Sequence, residues 1–157
     1  MKRNHNLETL SWEHHDGLVI ASRIQRGLSN KTDWKIISEY IVDMWEKHLK
    51  AHFRQEEDIL NPVLVKNESS SALIEKVLED HSFFDKTIHA IKKGNKRLPE
   101  YLREFSVRLI EHIRFEEKEY FTFIEENIDE TILDSVGKEL HAAHTHGDKG
   151  WNPEFWK

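Results

Sequence analysis

Residues 52–57 read His-Phe-Arg-Gln-Glu-Glu, and residues 112–117 read His-Ile-Arg-Phe-Glu-Glu. Both stretches follow the pattern H-x-R-x-E-E, with the histidine and the first glutamate four positions apart. Residues i and i+4 of an α-helix lie on the same face. Each stretch therefore predicts a helix that presents an imidazole and a carboxylate side by side.

The chain around these stretches is helical in its periodicity. Apolar residues recur at steps of three and four over most of the 157 residues, and breaks fall at Gly27 to Asp33, at residues 67–71 and at Gly94-Asn95. Thr32 or Asp33 is a candidate N-cap for the second helix, and Pro99 suits the first turn of the fourth. Four helices of roughly 20–33 residues joined by short loops predict an all-α fold, an up-down-up-down four-helix bundle.

The predicted domain organisation is a single domain spanning residues 1–157. The bundle occupies about residues 7–127, and a short accessory C-terminal helix from Glu130 to His144 is followed by a tail rich in tryptophan. Two positions for the tail tryptophans are left open: packed against the bundle, or exposed to solvent.

Histidine is the unusual component of the composition, with 11 residues in 157. At about 100° per residue, at least one histidine falls on the apolar stripe of each predicted helix. Five others are interpreted as surface or tail residues, and His15 adjoins His14 on the first helix. The inward set is His14, His48, His52, His81 and His112, and the outward set is His5, His89, His141, His144 and His146.

The inward faces of the second and fourth helices also carry Glu56 and Glu116. A buried carboxylate without a partner costs several kcal/mol, and the core-facing set contains no Lys or Arg to pair with it. A metal ion is the cation that this pattern predicts. Glu57 and Glu117 lie about 100° further round, where they either meet solvent or support the ligands from outside.

The ligand types restrict the kind of metal site. The chain has no cysteine, which excludes thiolate zinc and iron–sulfur sites. Four imidazoles and two carboxylates exceed the needs of one tetrahedral zinc, and they suit two metals, each with two histidines, bridged by two glutamates. Nitrogen and oxygen ligands favour iron, with manganese or zinc as substitutes. The Glu-x-x-His motif of ferritin-like bundles is absent.

With these residues, the sequence resembles the haemerythrin-like family, also called HHE cation-binding domains. The resemblance covers about residues 7–127. It implies that Glu56 and Glu116 bridge two iron ions, that His52 and a histidine of the first helix hold one ion, and that His81 and His112 hold the other. The motifs on which the resemblance rests are Glu13-His14-His15-Asp16, His52-Phe53-x-x-Glu56-Glu57, Asp80-His81 and His112-x-x-x-Glu116-Glu117.

Three ligand positions stay open at this point. On the first helix the ligand is His14, which fits the apolar stripe, or His15. His48 is an additional candidate because it precedes His52 by one turn. Asp85 is another, because it stands four residues after His81, where oxygen-carrying members of the family have a histidine.

The resemblance implies a non-haem di-iron protein that binds or reacts with O₂ or a related small diatomic or peroxide ligand. The alternatives are a stress-response enzyme that reduces peroxide or nitric oxide or repairs Fe–S proteins, and an iron storage or sensing protein. Whether the chain is an enzyme is left open, as is a homodimer or another protein partner. The net charge of −6 argues against nucleic acid and anionic membranes, and the N-terminus has no apolar signal segment, so we expect a cytoplasmic protein.

Overall fold

The computed structural model describes residues 2–144 and 149–157, and within these ranges it contains helices and no strands. This confirms the all-α fold class. The long helices are α1 (Glu8–Ser29), α2 (residues 34–64), α3 (Ser71–Lys93) and α4 (residues 98–127), and α5 (Glu130–Ala143) is the accessory helix. A single 3₁₀ turn, Glu68–Ser70, precedes α3. No described helix has the length and apolar character needed to cross a bilayer.

The helix boundaries follow the predicted capping residues. Asp33, rather than Thr32, caps α2, because its side chain accepts a hydrogen bond of 3.0 Å from the backbone N–H of Lys35. Gly94 ends α3 with φ +66°, a conformation in which glycine has no Cβ clash. Pro99 lies in the first turn of α4, where its missing N–H costs nothing. Asp129 caps α5 in the same way as Asp33 caps α2.

Two hydrophobic clusters fill the interior, and the predicted metal ligands lie between them along each long helix. On α1, for example, His14 stands between Leu10 of one cluster and Ile20 of the other. On α3, His81 stands between Val77 and Phe84. A band of polar side chains is therefore enclosed on both sides by apolar packing.

Both copies of the repeated motif contain a helical irregularity that the sequence did not predict. At each first glutamate the helix widens into a single π turn, Glu56–Leu60 in α2 and Glu116–Tyr120 in α4. The backbone N–H of Asn61 bonds to the carbonyl of Glu56, and that of Phe121 bonds to the carbonyl of Glu116. A third π turn, Trp45–Leu49, lies earlier in α2. Such turns often mark functional positions.

The C-terminal tail is packed against the bundle, which decides between the two positions left open. Phe155 and Trp156 are buried in the same cluster as Ile24 and Ile37. The guanidinium carbon of Arg23 lies 4.0 Å from the ring centre of Trp156. The tail thus contributes aromatic area to the core, at the opposite cluster from α5.

Candidate metal centre

Four imidazoles, one from each long helix, converge with two carboxylates in the polar band. All six side chains are buried, and those of Glu56 and Glu116 are fully excluded from solvent. Each ring directs its Nε2 inward. The closest Nε2-to-carboxylate distances are 2.7 Å for His14–Glu116, 3.2 Å for His52–Glu56, 3.0 Å for His81–Glu56 and 3.3 Å for His112–Glu116.

These side chains form two groups able to hold a metal ion, and the two groups share both glutamates. The ligand atoms within each group all lie within 4.8 Å of one another. The groups are His14, His52, Glu56 and Glu116, and Glu56, His81, His112 and Glu116. A pair of carboxylates common to two histidine pairs is the arrangement that a dinuclear site needs.

The cluster leaves polar atoms unsatisfied within the described part of the chain. The Nε2 atoms of His52 and His112 and one oxygen each of Glu56 and Glu116 are buried without a partner in hydrogen-bonding geometry. Orphaned buried polar atoms are rare in folded proteins and need an explanation. Lone pairs on nitrogen and oxygen that face a common interior point fit divalent iron, manganese or zinc.

A second layer of carboxylates lies on the far side of the four rings. Each Nδ1 lies within hydrogen-bonding distance of an acidic side chain. When the ring is neutral, as a metal ligand must be, Nδ1–H donates to that acid and the Nε2 lone pair faces inward. The four pairs are His14–Glu117 at 2.6 Å, His52–Glu13 at 2.9 Å, His81–Glu57 at 2.7 Å and His112–Asp80 at 2.8 Å.

These outer acids join the four long helices in a closed ring. The histidine of α2 is held by an acid on α1, that of α3 by one on α2, that of α4 by one on α3, and that of α1 by one on α4. Each acid also stands next in sequence to an inward ligand, as Glu13 does to His14 and Asp80 does to His81. Sequence reasoning gave no role to Glu13 and Asp80. Their position next to an inward ligand was the signal that could have identified them as outer acids.

A family model of the haemerythrin HHE cation-binding domain matches residues 6–124. The chain belongs to this family. No curated protein and no solved structure matches the sequence of this chain significantly. The matched residues include all six inward side chains of this haemerythrin domain and all four outer acids, whereas α5 and the tail lie beyond them.

Asp80 is an outer acid with three side-chain partners. Its carboxylate is fully buried and accepts hydrogen bonds from His112, Lys76 and Arg108. Burial alone would raise the pKa of Asp80, but these three donors outweigh it and hold the pKa far below its usual range. Asp80 is therefore ionised at any physiological pH.

Three of the inward histidines, His14, His52 and His112, have raised pKa values. Burial lowers the pKa of His112, but the charge of Glu116 and the hydrogen bond to Asp80 outweigh that effect and raise it to about 10. Burial also lowers the pKa values of His14 and His52. Hydrogen bonds to Glu116 and Glu117 outweigh this effect for His14, and the charge of Glu56 with the hydrogen bond to Glu13 outweighs it for His52, so that both pKa values are raised. Burial alone would raise the pKa of Glu116. The charge of His112 outweighs this effect, and the pKa of Glu116 lies well below its usual range. At each of the three histidines the neighbouring carboxylates favour the positively charged form of the ring.

Aromatic rings enclose the histidines. Phe53 stacks on His81 at a centroid distance of 4.3 Å, and Phe121 stacks on His14 at 5.1 Å. Phe84 meets His112 edge-on.

The open ligand positions are distinguished by location. His14 is buried in the cluster, whereas His15 is exposed on the other side of α1. His48 is half-buried beside Glu13 and His52, around an interior gap of about 10 Å³, and belongs to neither metal-binding group. Asp85 is exposed at a cleft of about 320 Å³ beside His81 and likewise belongs to neither.

Two of the histidines interpreted as surface or tail residues follow α5 in the sequence. His144 is not a surface residue, because its side chain is only 9% exposed and contacts Glu13. The expectation was wrong because periodicity within α5 contains no information about what its C-terminus packs against. His146 lies outside the described residues.

Proposed function

We propose that this haemerythrin domain holds two iron ions and binds or reacts with O₂ or a related small molecule. The observation that supports it best is the sharing of two buried glutamates by two histidine pairs. In the proposal Glu56 and Glu116 bridge the ions, His14 and His52 complete one position, and His81 and His112 complete the other. Manganese or zinc could replace iron, since the ligand atoms are all nitrogen and oxygen.

Bound ferrous ions would supply the electrons that O₂ accepts. The residues of the chain would orient the ligands, balance charge and exclude water. The outer acids keep each Nδ1 protonated and each Nε2 available, and this support from behind typically changes metal affinity 10–100-fold. The two buried carboxylates offset positive charge that burial would otherwise penalise. The stacked phenylalanines exclude water from the centre.

The proposal includes an up-down-up-down path for the four long helices. Successive helices visit the two hydrophobic clusters in alternating order: α1 runs from Leu10 to Ile24, and α2 then runs from Ile37 back to Leu64. Helices α3 and α4 repeat this alternation. The order places each histidine at the same depth, as a shared site requires.

Exposure of the anaerobic, iron-loaded protein to air tests the reaction class. We expect the absorption bands of a coupled diferric pair to appear under O₂. Bands that vanish when O₂ is removed would support reversible binding, and bands that persist would support oxidation. Steady turnover of added peroxide or nitric oxide would favour the catalytic alternative. Absence of any spectral change in iron-loaded protein would contradict O₂ chemistry.

Paired substitutions test the ligand assignment. We expect Glu116→Gln and His52→Ala to lower bound metal, because each removes a ligand atom from the centre. The matched controls are Glu119→Gln, at an exposed position three residues after Glu116, and His89→Ala, at an exposed position of α3. Unchanged metal content in both ligand variants would contradict the assignment.

A further inference from the structure

His144 lies directly after α5, twenty residues beyond the end of the family match, yet its side chain contacts Glu13, one of the outer acids. Its Nδ1 lies 2.5 Å from one carboxylate oxygen of Glu13. Its ring also meets the edge of Trp12 at a centroid distance of 5.9 Å. The residue is therefore part of the packed structure around α1.

Glu13 connects this histidine to a metal-facing ring. Its other carboxylate oxygen accepts hydrogen bonds from Nδ1 of His52 at 2.9 Å and from the side-chain amide of Gln55 at 3.1 Å. The chain His144–Glu13–His52 thus runs from the C-terminus of α5 to one of the two proposed metal positions. The described residues provide no corresponding third member with an imidazole behind Asp80, Glu57 or Glu117.

Helix α5 is a fixed support for His144. Leu133, Val136 and Leu140 are buried in the cluster that includes Leu10 of α1. The helix also approaches the N-terminal segment so closely that a Cβ on Gly137 would lie 2.1 Å from the side-chain oxygen of Asn6. Because α5 is packed in this way, the position of His144 relative to α1 is determined by the fold.

We propose that His144 is a positioning residue for the metal held by His14 and His52. It fixes one oxygen of Glu13, so that the other oxygen holds the His52 ring with Nε2 directed at the metal. The inference rests on the proposed metal centre. It also makes the two metal positions unequal because, among the described residues, no hydrogen bond joins Glu57 or Asp80, the outer acids of His81 and His112, to an imidazole at the end of α5. The accessory helix would then adjust one half of a symmetric site.

The test is a cobalt(II) titration against a competing chelator, with three variants at two positions. His144→Leu removes the donor and keeps a bulky side chain. His144→Asn restores an N–H near the position of Nδ1. His141→Leu is the matched control, one turn earlier on α5, where the ring bonds to the carbonyl of Gly137 in its own helix.

Each variant is placed in two backgrounds that isolate one metal position. In His81→Ala the remaining metal is held by His14 and His52, and in His52→Ala it is held by His81 and His112. Direct outer partners of metal ligands change affinity about 10–100-fold, so we expect about 3–10-fold weaker cobalt binding for His144→Leu, one contact further out, in the His81→Ala background. In the His52→Ala background we expect no change.

Recovery of affinity in His144→Asn, with His141→Leu unchanged, would support the positioning role. Equal weakening at both positions would mean that His144 only stabilises the fold, and would overturn it. The positioning role would also be overturned if His144→Leu did not change the affinity for cobalt in the His81→Ala background. This conclusion requires that both sites of the unmodified chain bind cobalt. Failure of the unmodified chain to bind cobalt at all would instead overturn the metal centre itself.

Discussion

At each of the four histidines of the cluster the two ring nitrogens face different groups: Nδ1 contacts an outer acid, and Nε2 faces a buried glutamate. This division makes the outer acids as important as the ligands, because they set the tautomer and the direction of the ring. His14 is distinguished from His15 by the same criterion, since only the ring of His14 has a glutamate on both sides.

Asp80→Asn should weaken metal binding at the position of His81 and His112 by about 10–100-fold. The amide loses the charge that pairs with His112 and Arg108, and it retains only one acceptor oxygen. Chelator competition measures the change. Asp85→Asn, on an exposed turn of the same helix, is the control and should leave affinity as it is. Equal affinities for the two variants would remove Asp80 from the proposed site.

The metal-free protein should become less stable as the pH rises. The pKa of His112 is about 10 in the folded chain, against a usual value of 6.5. Its contribution to the free energy of unfolding is therefore complete below pH 6.5 and is lost progressively towards pH 10. Urea unfolding at several pH values tests this. The metal-loaded protein should lose less stability over the same pH range, because the bound cation replaces the protons on the histidine rings. A metal-free stability that is constant from pH 6.5 to 10 would contradict the assigned contacts.

At the scale of residues, helical periodicity was sufficient to predict that the two His/Glu pairs and His81 face the interior, where these side chains are buried, but it left His14 and His15 open. It was insufficient for Glu13 and Asp80. Their role depends on which neighbouring helix lies beside them, and on how far it is rotated. Periodicity within one helix contains neither quantity.

At the scale of elements, the π turns at Glu56 and Glu116 and the placement of α5 were not predictable from local sequence. An α-helix and a π turn have similar backbone dihedral angles and accept the same residues, so composition does not separate them. Capping signals, by contrast, are local. The helix ends predicted from Asp33, Gly94 and Pro99 accordingly agree closely with the ends in the structure.

Gly137→Ala should lower the free energy of unfolding by about 1–3 kcal/mol, the usual cost of forcing an extra carbon into a packed contact. The added Cβ would overlap the side chain of Asn6, which donates a hydrogen bond of 2.8 Å to Asp134. Ser135→Ala, on an exposed face of α5, is the control. Chemical denaturation of both variants measures the difference. A Gly137→Ala variant as stable as the Ser135→Ala variant would show that α5 does not pack closely on the N-terminal segment.

At the scale of the whole molecule, the polar band divides the core into two clusters, and the segments beyond the family match cover one cluster each. Helix α5 packs on the cluster of Leu10, and the tail packs on that of Ile24. Sequence reasoning identified the accessory helix but left the tail open, because two aromatic residues near a chain end fit either position. The structure places Phe155 against Gly27, where a Cβ would meet its ring at 2.6 Å.

Phe155→Ala should lower the free energy of unfolding by about 3 kcal/mol, since it removes a buried aromatic side chain from the core. Metal content should not change, because the tail does not contact the proposed ligands within the described residues. Thermal unfolding and elemental analysis measure the two effects. Trp34→Ala, which alters a side chain 48% exposed, is the control. A loss of metal in folded Phe155→Ala protein would contradict the separation of tail and site.

The central claim is that Glu56 and Glu116 are shared by two metal positions. Its most direct test is the iron-to-chain ratio after anaerobic reconstitution with ferrous iron and removal of the excess, measured by elemental analysis on the same sample as its absorption spectrum after air is admitted. We expect two iron ions per chain, with the bands of a coupled diferric pair. One iron per chain, or none, would mean that the buried histidines and glutamates do not form a dinuclear centre.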